Sequence, residues 1–212
     1  MEKKYESVQR YIVKLRRDLH QIPELGTELP ETKAYIIREL DRLKIPYLCS
    51  EKDSGILATI EGGRRGKTVA LRTDMDALPL EEETGLAFAS RHPGCMHACG
   101  HDAHMAILLG AARLLNAQKK SLRGTVRLIF QTAEEISRGS EIAISNGYLE
   151  DVDAVFGLHI GSILGKEIPS GTLIFPRACC MASFDKFILR IKGKSCHGST
   201  PEKGVDPVNI AA

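Results

Sequence analysis

The sequence predicts an α/β fold built on a mostly parallel central sheet. Two observations carry that prediction. Amphipathic helical repeats alternate with short apolar runs along most of the chain. The runs at 126–130 and 154–158 are dense in Val, Ile, Leu, Phe and Ala, the pattern of strands covered on both faces.

The elements follow in order. Tyr5, Val8, Ile12, Leu15 and Leu19 recur at three- and four-residue steps, which predicts a helix over 5–21 that Ile22-Pro23 ends. A second helix opens near Pro30, a good first-turn residue, carries Ile36, Ile37, Leu40 and Leu43, and closes at Pro46. Strands are expected at 47–49, 55–61 and 68–72. The Gly62-Gly63-Arg64-Arg65-Gly66 stretch between the last two reads as the turn of a hairpin. A helix from His101 to about Lys119 buries Met105, Leu108, Leu109, Ala112 and Leu115. A strand at 126–130, a short helix over 138–149 ending at Gly147, and a buried strand at 154–158 complete the alternation. After Ser183 the character changes. Residues 184–191 alternate in polarity as a half-exposed strand, and a helix opens at Asp206-Pro207. That pair cannot bury its own apolar face, so the chain is expected to be a piece of a longer protein.

The 212 residues, 43% of them hydrophobic, suffice for one ordinary core or slightly more. Net charge is +2 and the basic residues are scattered, so no nucleic-acid or membrane-surface footprint is present. No run of about 18 apolar residues occurs to span a bilayer. The charged opening Met1-Glu2-Lys3-Lys4 lacks the apolar segment of a secretory signal, and the six cysteines are irregularly spaced. Together these predict a cytoplasmic protein with reduced thiols.

Chemistry concentrates in His97-Ala98-Cys99-Gly100-His101-Asp102-Ala103-His104, where one thiol, three imidazoles and a carboxylate occupy eight positions. These side-chain types bind transition metals. Three apolar runs end in groups of the same kind: 69–72 leads into Asp74 and Asp76, 126–130 into Glu134 and Glu135, and 154–158 into His159. Sites in open α/β sheets sit outside the carboxyl ends of strands. The prediction is a metal cleft of Cys99, His101, Glu135 and His159, with Glu134 and Asp76 nearby. A thiolate can bridge two divalent ions, so the set points to more than one. Neighbouring Glu134 and Glu135 point in different directions, so one can ligate while the other takes a proton from water. Asp76, Asp74 and Asp102 compete to orient His101, and His104 is an alternative ligand. His20, His92 and His97 read as structural or exposed. In the 193–201 segment, Gly193-Lys194-Ser195 is not a phosphate loop, because Ile188 stands where its first glycine belongs. His197 in that segment is either an oxyanion donor or a turn residue without a role.

Four motifs carry a resemblance: Arg72-Thr73-Asp74-Met75-Asp76-Ala77-Leu78-Pro79, Met96-His97-Ala98-Cys99-Gly100-His101-Asp102-Ala103-His104, Gln131-Thr132-Ala133-Glu134-Glu135 and Gly157-Leu158-His159. With Arg16-Arg17-Asp18-Leu19-His20-Gln21-Ile22-Pro23-Glu24 they resemble the M20 metallopeptidase family. The closest likeness is to its amidohydrolase branch of hippurate hydrolases, N-acyl-amino-acid deacylases and auxin-conjugate hydrolases. The resemblance implies a zinc-peptidase-like three-layer catalytic domain over 1–182 and the start of an α+β dimerisation (lid) domain over 183–212. It implies two divalent ions (Zn, Mn, Co or Ni) with Cys99 bridging, His101 and His159 on one ion, Glu135 on the other, and Glu134 as general base. His197 would reach the partner's active site in a homodimer. The implied reaction is hydrolysis of N-acyl amino acids by metal-activated water. A carboxypeptidase or dipeptidase, or an inactive metal-binding fragment, are the alternatives. Thr132 stands where the family usually has proline, and the family is nearly twice as long as this chain.

Overall fold

The computed structural model describes residues 2–161, 167–177 and 187–212. Helix α1 (Glu2–His20) turns Val8, Leu15 and Leu19 inward. Helix α2 (Pro30–Leu43) starts on its proline and buries Ile36 and Leu40. Its N-terminus is closed from a distance: the Glu24 carboxylate accepts the N–H groups of Glu31 (3.1 Å) and Thr32 (2.8 Å). Strands β1 (Tyr47–Cys49), β2 (Ile56–Glu61) and β3 (Arg64–Asp74) follow, then helix α3 (His101–Ala117), β4 (Arg123–Gln131), helix α4 (Gly139–Ser145) and β5 (Ala154–Gly157).

The sheet order is β1-β2-β4-β3-β5. β4 runs parallel to β3, and β3 parallel to β5, while β1–β2 and β2–β4 are antiparallel. The predicted β2–β3 hairpin does not form, because β4 lies between the two strands. The glycines explain the difference. Gly62 N–H donates to Gly124 O and Gly63 N–H to Lys119 O, each at 2.9 Å. A Cβ on Gly62 would stand 2.4 Å from Gly124 O, and one on Gly63 2.3 Å from Lys120 O. They are glycine so that the crossing chain can press against the approach to β4, not so that it can reverse.

Alternation along β2 and β4 divides the core. Ile56, Ala58, Ile60, Leu128 and Phe130 pack against α1, α2 and α3 through Leu15, Leu19, Ile36, Leu40, Met105 and Leu109. Leu57, Ala70 and Ile129 face the other way, toward Ala143 and Tyr148. The result is the expected helix–sheet–helix layering. β5 departs from expectation. Among the described residues it pairs with β3 alone, and Val155, Phe156 and Leu158 are exposed rather than buried. An apolar run signals the capacity to be covered, and no described residue covers this one.

Two compact units divide the chain, residues 1–166 and 167–212. In the second, Asp206 caps α5 (Pro207–Ala211) by accepting Val208 N–H at 2.9 Å, as the sequence predicts. Residues 184–186 of the expected strand lie outside the described residues. Residues 187–191 form no strand, since they find no ladder partner among the described residues. No described helix is long and apolar enough to cross a membrane.

Candidate metal centre

The carboxyl ends of β3, β4 and β5 and the N-terminus of α3 meet in the first unit. β3 ends at Asp74, and the chain then turns through Met75 and Asp76, all three buried. β4 ends at Gln131. Ala133 adopts a left-handed φ of 54° and its N–H donates to Gly26 O at 3.0 Å, which turns Glu134 and Glu135 off the strand axis. Thr132 is fixed by its hydroxyl, which donates to the Asp53 carboxylate. Gly100, with φ 95°, makes the sharp turn between Cys99 and His101, and its carbonyl accepts the N–H groups of Ala103 and His104 that open α3.

Asp76 is the organising residue. One carboxylate oxygen accepts Glu134 N–H and the other Glu135 N–H, both at 3.0 Å. Its backbone carbonyl faces His101 Nδ1 at 2.7 Å, whereas its carboxylate stays 3.7 Å from that nitrogen. The sequence left three acids to orient His101. The structure gives the task to the Asp76 carbonyl and separates the other two. Asp74 pairs with His104 Nδ1 (2.7 Å) and Arg72 (2.8 Å). Asp102 points away, to His20 Nδ1 (2.7 Å) and Arg16 Nε (2.9 Å).

With Nδ1 engaged, His101 turns Nε2 into the cleft. It lies 3.6 Å from Glu135 Oε1, 3.8 Å from Glu134 Oε2 and 3.7 Å from Asp74 Oδ2. Cys99 Sγ lies 3.3 Å from His159 Nε2. Cys99, His101 and His159 form one group whose donor atoms lie within 4.8 Å of one another, and His101, Glu134 and Glu135 form another. Asp74, His101 and His104 make a third. In that third group, however, both His104 nitrogens are engaged: Nδ1 by Asp74, and Nε2 by Ile160 N–H at 2.9 Å.

The donor set fits transition metal ions. His101 Nε2 and Glu135 Oε1 are both buried without a hydrogen-bond partner, and each such atom costs about 1–3 kcal/mol. Burial pushes the Cys99 thiol up to about 12, and the charge and hydrogen bond of Glu135 and the charges of Glu134 and Asp74 add to the rise. Burial also lifts Glu134 above the ordinary carboxyl range, with Asp74 and Glu135 adding to it and His101 opposing. Crowded acids and an unpaired imidazole nitrogen are compensated together by a cation. Of the residues predicted for the cleft, Cys99, His101, Glu134, Glu135, His159 and Asp76 converge.

His197 belongs to the second unit. Its Nδ1 accepts Ser199 N–H at 3.2 Å and contacts the Ser199 hydroxyl at 2.8 Å, which puts the ring proton on Nε2. Sequence reasoning missed the Arg72–Asp74–His104 chain. The i, i+2 spacing of Arg72 and Asp74 on one strand face was its only signal.

Comparison with known proteins agrees with this geometry. Residues 70–173 match the family described as Peptidase family M20/M25/M40. The chain is 44% identical over 202 residues to N-acetyl-L-cysteine deacetylase of Bacillus subtilis, covering 95% of this chain and 48% of the relative. It is 41% identical over 210 residues to thermostable carboxypeptidase 1 of Saccharolobus solfataricus, covering 96% of this chain and 52% of the relative. Among solved structures, the Bacillus subtilis YXEP protein, described as a dinuclear metal-binding peptidase from the M20 family, superposes with a TM-score of 0.71. It is 43% identical, over 74% of this chain and 45% of that one. The chain thus spans about half the length of the curated relatives it matches. With the cleft residues falling inside the matched segment, residues 70–173 belong to the M20 peptidase family.

Proposed function

We propose that the protein is a metal-dependent amidohydrolase that cleaves the amide bond of N-acyl amino acids. The observation that carries this reading is the convergence of Glu134 and Glu135 on the unpartnered His101 Nε2. Cys99, His101, Glu135 and His159 would hold two divalent ions. Zinc, manganese, cobalt and nickel all suit a mixed N/O/S set. Bound there, the ions would polarise the substrate carbonyl and make the attacking water more acidic. Glu134 is the more exposed of the two acids, at 39% against 19%. It takes the proton from that water and delivers it to the leaving amine. Its raised proton affinity suits a group that must both accept and return a proton.

The sequence motifs extend the reading to the rest of the protein. Residues 1–182 are assigned to the catalytic domain and 183–212 to the start of a dimerisation domain. The protein is a homodimer in which His197 Nε2–H donates to the developing oxyanion in the partner's cleft. The reading includes a cytoplasmic location, on the irregular spacing of the six cysteines.

A substrate panel tests the reading. The full-length protein, loaded with zinc, manganese, cobalt or nickel, is assayed on N-acetyl and N-benzoyl amino acids and on unblocked dipeptides. Turnover of the N-acyl amino acids with little on dipeptides supports the proposal. The carboxypeptidase reading is favoured by the similarity to thermostable carboxypeptidase 1, and preference for C-terminal residues of longer peptides would establish it instead.

A further inference from the structure

We propose that His104 is a positioning residue that clamps the carboxyl end of β5, and with it His159, onto the Cys99–Gly100–His101 turn; this rests on the reading of Cys99, His101 and His159 as metal ligands. The need for a clamp comes from β5. Among the described residues it is an edge strand paired with β3, and His159 beyond its end is exposed. Its direction depends on the loop that follows, because His159 Nδ1 engages the Ile160 carbonyl and holding Ile160 holds the ring.

His104 supplies the hold from the first turn of α3, where it is buried. Its Nδ1–H donates to Asp74 Oδ1 at 2.7 Å, and Asp74 is anchored in turn by Arg72 at 2.8 Å. That bond fixes the tautomer and leaves the Nε2 lone pair for Ile160 N–H at 2.9 Å. The His104 ring also meets the His159 ring edge-on, with centroids 4.6 Å apart. A second contact closes the same gap independently. The Ile160 side chain lies over Gly100, where a Cβ would stand 2.8 Å from Ile160 Cγ1. Ile160 is therefore fastened to the ligand-bearing turn through both its amide and its side chain. A ligand role for His104 would break the Asp74 or the Ile160 bond, and the structure uses both.

The test compares His104→Gln, His104→Asn and His104→Leu in the full-length protein. Gln can place an oxygen near the Nε2 position, Asn keeps only the Asp74 contact, and Leu keeps neither. The readouts are zinc affinity by chelator competition, ion stoichiometry at saturation, the Co²⁺ absorption spectrum and hydrogen exchange at the Ile160 amide. The clamp predicts that Asn and Leu weaken zinc binding about 10–100-fold. It also predicts faster Ile160 exchange, unchanged stoichiometry and Co²⁺ spectrum at saturation, and substantial rescue by Gln. One ion fewer, or an altered cobalt ligand field in all three variants, would make His104 a ligand and overturn the proposal. Unchanged affinity and exchange in the Asn variant would overturn it too, even where the Leu variant fails to fold. Failure of the wild-type protein to bind metal defeats the ligand reading separately, while Ile160 exchange in the metal-free variants still decides whether the clamp exists.

Discussion

Asp76 holds the backbone N–H groups of Glu134 and Glu135, one on each carboxylate oxygen, both at 3.0 Å. One side chain from the end of β3 thereby sets the direction of two acids from the end of β4. Asp76→Asn removes one of the two acceptors and sets an NH₂ group against an N–H. Turnover is expected to fall on the order of 10–100-fold with ion stoichiometry retained, since the acids shift but remain. Steady-state kinetics beside metal analysis checks it.

Metal removal should destabilise the protein. The cleft holds two buried unpartnered atoms and a crowd of acids. Ligation in the folded state alone adds about 2.7 kcal/mol when free metal is 100 times Kd. Chelation is expected to lower Tm, and resupply of zinc or cobalt to restore it. Scanning calorimetry with and without chelator measures the effect. The Cys99→Ser variant should show a smaller metal-dependent shift.

The crossing between β2 and β3 makes a prediction independent of any chemistry. Gly63→Ala places a methyl group where 2.3 Å separates it from the Lys120 carbonyl oxygen. An expected loss of about 1–3 kcal/mol follows from overpacking at a backbone contact. Gly198→Ala, where nothing lies within 4 Å, is the neutral control. Chemical denaturation of the two variants compares them.

The buried His20–Asp102 pair predicts a pH effect on stability. The Asp102 hydrogen bond raises the His20 pKa above its ordinary 6.5, against the opposing effect of burial. A raised folded-state value means that this contribution is full below 6.5 and is lost as pH rises through the folded-state value. Unfolding free energy measured across that range should therefore fall in the native protein. His20→Gln should flatten that fall.

Much of this was legible in the sequence because it depended on local pattern. The amphipathic repeats of α1, α2 and α3 place their elements to within a few residues, and the Asp206 cap was readable from one side chain and the following proline. The cleft was readable because four strand or helix ends carry unusual chemistry. Strand order was not, since the glycines at 62 and 63 serve equally a tight turn and a close crossing, and only long-range pairing separates the two. The acid facing His101 was also beyond the sequence. Asp74, Asp76 and Asp102 have the same side chain, and their partners are set by which loop each faces. The exposure of β5 shows the limit of apolar patterning, which reports what an element can bury rather than what covers it.

Parallel Glu134→Gln and Glu135→Gln variants separate the roles of the two acids. Metal content and turnover of N-acetyl amino acids are measured together in the full-length protein. Glu134→Gln is expected to keep both ions and to lose about 10²–10⁴-fold in turnover, the usual worth of a general base. Glu135→Gln is expected to lose affinity for an ion. Wild-type turnover in Glu134→Gln with both ions bound would rule out Glu134 as the general base.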